Sequence, residues 1–199
     1  MVWSRGGVKL PILISNTTKV KVTRGKIILK NPSMCCVQIG FGGSEGVIEN
    51  QYTSFVNNGG IIVFDGNTKI AQGSSIRVDS SGNLLFGKNF SCNKNCFISC
   101  GDCIEIGNDV LLGWNVHIRD NDGHTIYLNG EQKPSSKKVI IGNNVWLASD
   151  VVILKGSEIS SGCVVGYGSL IASGKYNKEN MLLIVHPDTV IDTGITWIH

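Results

Sequence analysis

The stretch VIIGNNVWLASDVVILKGSEISSGCVVGYGSLI, residues 139–171, repeats a pattern every six residues. Its first column of residues is branched and aliphatic: Ile141, Leu147, Ile153, Ile159, Val165 and Ile171. A second column, four residues after the first, is small or β-branched: Val145, Val151, Ser157, Cys163 and Ser169. A period of six fits neither the 3.6-residue period of a helix nor the two-residue alternation of a single strand.

Such a repeat is typical of a parallel β-helix, in which short strands and tight turns stack one coil on the next. The two columns occur upstream as Ile106, Leu112, Ile118 and as Ile104, Val110, Val116, and the second continues back through Ile98, Cys92, Phe86, Ser80, Ser74, Thr68, Ile62 and Val56. A β-sandwich is the weaker alternative, because its turns would recur every 8–12 residues or so. The chain is therefore predicted to be all-β.

Interruptions of the repeat predict the domain organisation. Glycine or alanine often follows the aliphatic column, which favours tight corners. We expect a single domain over residues 1–199, with irregular coils at 1–55, regular coils at 56–118 and 139–174, and a C-terminal segment at 175–199. Residues 119–138 break the frame and predict one extruded loop, which a solenoid tolerates at a corner.

Composition excludes several classes of protein. The chain has 199 residues, 42% apolar and 17% charged, and its net charge of +3 is spread along the sequence. These values argue against disorder and against a nucleic-acid partner. No signal peptide, membrane insertion or long apolar run is expected, so the sequence predicts a soluble, cytoplasmic protein.

The loop sequence RDNDGHTIYLNGEQKPSSKK carries the main catalytic candidates. Asp120, Asp122 and His124 occupy alternate positions in it. Histidine exchanges protons near neutral pH, and either carboxylate could fix its tautomer. The alternative is a solvated histidine beside two solvated acids.

Other polar and aromatic residues near the loop allow two interpretations each. His117 is either structural or faces a substrate. Trp114 and Trp146 should point outward, where they would form the walls of a ligand site or a subunit contact. Lys155 lies near a corner and is either solvated or a phosphate contact.

A metal site is a weaker alternative. His186 and His199 lie outside the repeat, and the chain between His117 and His124 does not place both on one stacked face. Cys92, Cys96, Cys100 and Cys103 are spaced by four, four and three residues, which lacks the paired signature of a zinc site. The repeat places Cys92, Cys100 and Cys163 inward, so these residues are predicted to be reduced thiols that fill the core.

The run WNVHIRDNDGHTIY, then IGNNVW and ILKG, resembles the hexapeptide-repeat acyltransferases, and within them the branch that O-acetylates capsular polysaccharide and sialic acid. The resemblance implies left-handed coils and a homotrimer with acetyl-CoA bound between subunits. It implies that His124 is the general base, that Asp122 orients it, and that no metal is required. Trp146, Ala148 and Lys155 match positions that line the CoA groove.

The resemblance extends to further residues and has one departure. Thr125 and Ser173 are expected at the cofactor site, and His117, Asp120 and Trp114 at the substrate site. The family usually reads G-N-P-A-K after the last coil, whereas this chain reads VHPDT at 185–189. The family's lysine is therefore missing, and Lys175 or Lys178 is expected to replace it.

These observations predict an acetyl-CoA-dependent O-acetyltransferase that acts on a sugar hydroxyl of a bacterial surface glycan or its precursor. Three alternatives remain open. The same fold acetylates amino groups of nucleotide-linked amino sugars, a carbonic anhydrase-like solenoid would hold a metal, and a scaffold would bind no acetyl-CoA.

Overall fold

The computed structural model describes residues 10–46, 51–129, 131–185 and 188–193. Its strands form three large sheets and one small hairpin. Sheet A contains β1 (Ile12–Ile14), β4 (Val37–Ile39), β7 (Thr68–Ile70), β10 (Phe90–Cys92), β13 (Leu111–Leu112), β18 (Trp146–Leu147), β21 (Val164–Val165), β24 (Met181–Val185) and β25 (Asp188–Thr193). Sheet B contains β2 (Thr18–Val22), β5 (Thr53–Asn57), β8 (Ser75–Val78), β11 (Phe97–Cys100), β14 (His117–Arg119), β19 (Val152–Ile153) and β22 (Leu170–Ile171).

The remaining strands form sheet C and the hairpin. Sheet C contains β3 (Lys26–Leu29), β6 (Ile61–Phe64), β9 (Asn83–Phe86), β12 (Cys103–Ile106), β17 (Val139–Ile141), β20 (Ser157–Ile159) and β23 (Gly174–Tyr176). The hairpin pairs β15 (Ile126–Leu128) with β16 (Glu131–Lys133) in antiparallel orientation. Successive strands of the chain enter sheets A, B and C in turn, and neighbouring strands of sheets B and C pair in parallel throughout. The predicted parallel β-helix is confirmed.

The six-residue repeat builds the C-terminal coils as predicted. Trp146 pairs with Val164, the equivalent position three hexads later, so one coil holds three hexads. Sheets A, B and C form the three faces of a prism. Both columns of the repeat between residues 141 and 171 are buried in its interior. Each coil contacts its neighbours through main-chain hydrogen bonds, which is the arrangement of a one-dimensional solenoid.

Upstream, the strict period fails although the coils continue. Ser75 pairs with Phe97 and Asn83 with Cys103, so these coils are longer than three hexads and add residues at the corners. Ser80, which the six-residue count places inside, is therefore exposed. Val56 is also wrongly placed, because its neighbours in β5, Phe55 and Asn57, point inward instead.

Coils also form in the segment that the sequence marked as irregular. Strands β1 to β4 lie between residues 12 and 39 and pair in the register of the later coils, for example Ile12 with Val37. At the other end, β24 pairs with β21 in parallel and with β25 in antiparallel orientation, so the C-terminal segment adds a hairpin to sheet A. None of the described segments forms a helix long and apolar enough to cross a membrane.

Candidate active site

The extruded loop is an antiparallel finger that leaves the prism between sheets B and C. It follows β14 and rejoins the coil at β17, and strands β15 and β16 form its outer half, up to the tip. His124 lies just before β15, and its side chain is exposed. Gly123 next to it has a φ of 76°, in the left-handed region that glycine adopts without strain. The predicted base is therefore presented to solvent near the finger's origin.

Asp122 and Lys155 form an ion pair at the base of the finger. The Lys155 ammonium donates to Asp122 Oδ2 and, over 2.8 Å, to the carbonyl oxygen of Pro134. The ion pairs of the described residues do not include one between Asp122 and His124. The structure thus brings together two predicted site residues, in a contact that the sequence did not suggest.

Asp120 occupies a structural position rather than the substrate-facing one expected for it. Its carboxylate is fully buried and accepts the backbone N–H of Gly101 at 2.7 Å and of Asp102 at 2.8 Å. The side-chain amide of Asn121 donates to it at 2.8 Å. These contacts saturate the carboxylate inside the corner, so Asp120 has no surface to offer a sugar.

His117 lies on the outer face of sheet B, in β14, the strand that the finger follows. Its ring is half-buried and meets the edge of Phe97, with ring centroids 5.8 Å apart. Its backbone N–H donates to the Val151 carbonyl in the next coil. Since the finger begins two residues after His117, the imidazole lies on the same side of the prism as the finger's origin.

The two predicted indoles point outward. Trp114 is 41% exposed at the corner between sheets A and B, and Trp146 is 37% exposed on sheet A. A third aromatic residue, which the sequence analysis missed, lies at that corner two coils beyond Trp114: Tyr167 is 70% exposed. Asp150, which accepts a hydrogen bond from Asn115, also binds the Tyr167 hydroxyl and raises the pKa of Tyr167.

The remaining candidates for cofactor binding are Thr125, Ala148, Ser173 and Lys175. Thr125 and Ser173 are exposed. The Ala148 N–H donates to the Val165 carbonyl at 2.9 Å, so it is not available to a ligand. Lys175 is exposed and pairs with Glu158 at 2.9 Å. His186 and His199 lie outside the described residues, as does Pro187.

The cysteines fill the core where the sequence predicted it. Cys92, Cys100 and Cys163 are buried, and the seven thiols are unpaired. Burial raises the pKa of Cys100, and the nearby Asp120 carboxylate raises it further. Within the part of the chain that the structure describes, no group of three or more His, Cys, Asp or Glu residues is placed to hold a metal ion.

Two adjoining hollows on the outer face of sheet A were not anticipated from the sequence. They have volumes of about 540 and 530 Å³ and share Gln38, Lys69 and Ser91. The second hollow reaches Leu111, which pairs in register with Trp146. No local pattern marks these residues, because they come from strands of successive coils that only the stacking brings together.

Comparison with known proteins agrees with this architecture. Residues 138–173 match the family described as bacterial transferase hexapeptide (six repeats). The chain is 31% identical over 157 residues to a polysialic acid O-acetyltransferase of Neisseria meningitidis. This alignment covers 78% of this chain and 70% of the relative. The chain is 29% identical over 153 residues to a putative lipopolysaccharide biosynthesis O-acetyl transferase, WbbJ, of Escherichia coli, covering 71% and 76%.

One solved structure shows the same fold. The crystal structure of the polySia-specific acetyltransferase NeuO aligns over 93% of this chain and 90% of its own, with a TM-score of 0.50 and 17% identity. The relatives that are named as O-acetyltransferases thus define this repeat-built protein as an acyltransferase of the solenoid type. The chain belongs to the hexapeptide-repeat acyltransferases.

Proposed function

We propose that this enzyme transfers an acetyl group from acetyl-CoA to a sugar hydroxyl of a bacterial surface glycan or its precursor. The observation that carries the proposal is the exposed His124 on a finger beside the hexapeptide coils. The named O-acetyltransferases among its relatives act in glycan chemistry, which supports a sugar acceptor. Acetyl-CoA is a cytoplasmic metabolite, so we place the reaction in the cytoplasm.

In the proposed reaction, a ring nitrogen of His124 accepts the proton of the acceptor hydroxyl. The hydroxyl oxygen attacks the thioester carbon, the carbon–sulfur bond breaks, and the imidazolium returns the proton to the CoA sulfur. Asp122 holds Lys155 through Oδ2, and we assign its Oδ1 to the orientation of the imidazole. A backbone N–H must stabilise the oxyanion that forms during attack.

Exposed residues on several faces of the chain supply the two binding sites in this proposal. The Trp146 indole forms a wall of the acetyl-CoA channel, and Trp114 and His117 face the acceptor. Thr125, Ser173 and Lys175 contact the cofactor through exposed polar groups. Ala148 contributes only its small side chain, because its N–H is already bonded.

We propose that the active enzyme is a homotrimer whose sites lie between subunits. His124, Trp114 and Trp146 are all exposed on a single chain, so a channel that excludes water needs a second surface opposite them. A neighbouring copy of the chain would supply that surface, and threefold closure would give three equivalent sites.

The variant His124→Ala tests the catalytic assignment. A placed general base contributes about 10²–10⁴-fold to the rate, so kcat should fall by that factor in a CoA-release assay. The exposed side chain contributes no core packing, so the melting temperature and the trimeric mass in sedimentation should not change. Near-normal turnover by a correctly assembled variant would contradict the role of His124.

The same assay separates oxygen from nitrogen acceptors. With sugars that offer only hydroxyl groups as acceptors, the wild-type enzyme should release CoA from acetyl-CoA. Matched amino sugars should give no higher rate of CoA release than their hydroxyl groups account for. Mass spectrometry of the product locates the acetyl group. An acetamide product would favour the N-acetyltransferase alternative.

A further inference from the structure

Lys155 connects the coil to both ends of the finger. It follows β19 at the corner between sheets B and C, where the next coil passes below the finger's origin. Its ammonium binds Asp122, on the entering side, and the Pro134 carbonyl oxygen at 2.8 Å, on the returning side. Because these partners lie on opposite arms of the finger, one side chain bridges its neck.

The neck itself is a short ladder of main-chain hydrogen bonds. The Asp122 N–H donates to the Ser135 carbonyl at 2.8 Å, and the Lys137 N–H donates to the Asp120 carbonyl at 2.8 Å. The corner after Lys155 joins this ladder, because the Gly156 N–H donates to the Lys137 carbonyl at 3.1 Å. Lys155 therefore reinforces a neck that main-chain hydrogen bonds already hold against the coil.

Partial burial makes the Lys155 contacts stronger than those of an ordinary surface pair. The side chains of Lys155 and Asp122 are 28% and 24% exposed, whereas Lys133 and Glu131 at the finger's tip are 41% and 78% exposed. Water and salt screen the inner pair less than the outer one. The pair of Lys155 and Asp122 therefore holds the finger's origin in place, whereas the pair of Lys133 and Glu131 lies at its exposed end and restrains it little.

The catalytic candidate sits close to this clamp. His124 follows Asp122 by two residues, so the single residue Gly123 links the two backbones. The position of the imidazole thus depends on where Asp122 is held. Displacing a catalytic group by about 1 Å reduces a rate by about 10²-fold.

We propose that Lys155 is a positioning residue for His124, and not the phosphate contact that the sequence indicated. This inference rests on the proposed function, in which His124 is the base. Two of the three ammonium donors of Lys155 are directed at the finger. The residue acts through Asp122 and Pro134, which set the direction in which the finger leaves the prism.

The variants Lys155→Met and Lys155→Arg test the proposal, with Lys133→Met as the matched control at the tip. Lys155→Met should lower kcat by about 10²-fold and change the KM for acetyl-CoA less than threefold or so. Lys155→Arg keeps the charge and should recover part of the rate. Lys133→Met should behave as wild type. A raised KM with unchanged kcat would overturn the proposal.

A donor without phosphate groups distinguishes the clamp from a phosphate contact. The fold-loss in kcat for Lys155→Met should be the same with acetyl-CoA and with S-acetylpantetheine, because the clamp acts on the base in both reactions. A phosphate contact would show its loss with acetyl-CoA alone, and that result would refute the positioning role.

Hydrogen exchange provides a readout that does not depend on activity. Lys155→Met should speed the exchange of the Asp122 and Lys137 amides, which are bonded across the neck. Unchanged protection would contradict the clamp, whatever the enzyme's activity. Faster exchange with unchanged kcat would contradict the dependence of catalysis on the finger. Failure of the proposed function itself would appear instead as a normal rate for His124→Ala.

Discussion

Asp120 holds the corner from which the chain departs for the finger. Its two carboxylate oxygens accept the N–H groups of Gly101 and Asp102, and the Asn121 amide adds a third donor. Hydrogen bonds to an ionised acceptor are about twice as strong as neutral ones. A single buried side chain thus joins the finger's first residues to the preceding coil.

Removing this carboxylate should destabilise the protein. Asp120→Ala leaves two part-buried N–H donors without their acceptor, at about 1–3 kcal/mol each, so we expect the free energy of unfolding in urea to fall by about 3 kcal/mol. Asp65→Ala is the control: this carboxylate accepts one side-chain hydrogen bond at the surface, from Asn31 at 3.1 Å, and its loss should remain below about 1.5 kcal/mol. Equal losses in both variants would contradict the assigned role.

Buried thiols should make stability fall at alkaline pH. Burial raises the pKa of Cys100, Cys103 and Cys163 above the ordinary 9.0. Below pH 9.0 the thiols are protonated in both the folded and the unfolded protein, so their contribution to the free energy of unfolding is fully present. As the pH rises through it, the unfolded chain loses protons first and gains stability relative to the folded protein.

The measurement is urea unfolding between about pH 8 and pH 11, across the ordinary cysteine range. The free energy of unfolding should decrease with pH, and Cys163→Ala should reduce the slope because one shifted thiol is lost. An identical slope in wild type and variant would argue against this source of the pH dependence.

Sequence reasoning expected Asp120 to face a substrate, whereas the structure buries it, and the cause is local geometry. Asp120, Asp122 and His124 occupy alternate positions, and the sequence left either carboxylate as a partner for the imidazole. The inward–outward alternation of β14 continues past Ile118 and turns Asp120 into the core, whereas Asp122 belongs to the finger. The contact between Asp122 and Lys155 joins residues 33 positions apart, and no spacing in the sequence marks it.

At the scale of the element, asparagine and aspartate shape the corners. Asn89, Asp109 and Asn144 have φ values of 56°, 56° and 52° at equivalent corners of successive coils. These residue types tolerate the left-handed region better than other side chains. Their recurrence was a readable signal, which the sequence analysis passed over in favour of glycine.

The corner glycines have a different role, which is to admit close contact between coils. A Cβ on Gly107 would lie 2.6 Å from the Gly142 carbonyl oxygen and 2.7 Å from its carbon. Backbone atoms cannot rotate aside, so the coils would have to separate. Overpacking of this kind destabilises by about 1–3 kcal/mol.

Gly107→Ala should therefore lower the free energy of unfolding by about 2 kcal/mol in urea. Gly66→Ala is the control, because its Cβ would meet the flexible Lys88 side chain at 3.2 Å. We expect Gly66→Ala to stay within about 0.5 kcal/mol of wild type. A larger loss at Gly66 than at Gly107 would show that contact between coils is not the controlling factor.

Across the whole molecule, the six-residue period can be detected in the sequence only where the corners between strands have the same length. The coils between the finger and Ile171 take three hexads, for example between Val152 and Leu170, so the columns persist, and the last pairing, Ser157 with Gly174, is one residue shorter. Earlier coils differ in length, and the first, from Ile12 to its partner Val37, is longer than four hexads. The inward alternation survives there within each strand, but a fixed count of six cannot follow it.

The finger interrupts the chain without interrupting a sheet. Strand β14 keeps its neighbours β11 and β19, and β17 keeps β12 and β20, although the whole finger separates β14 from β17 in the chain. Selection can therefore rebuild the finger while the prism stays constant. Exchange of this one segment between related enzymes offers a modular route by which an unchanged scaffold could acquire a new choice of acceptor.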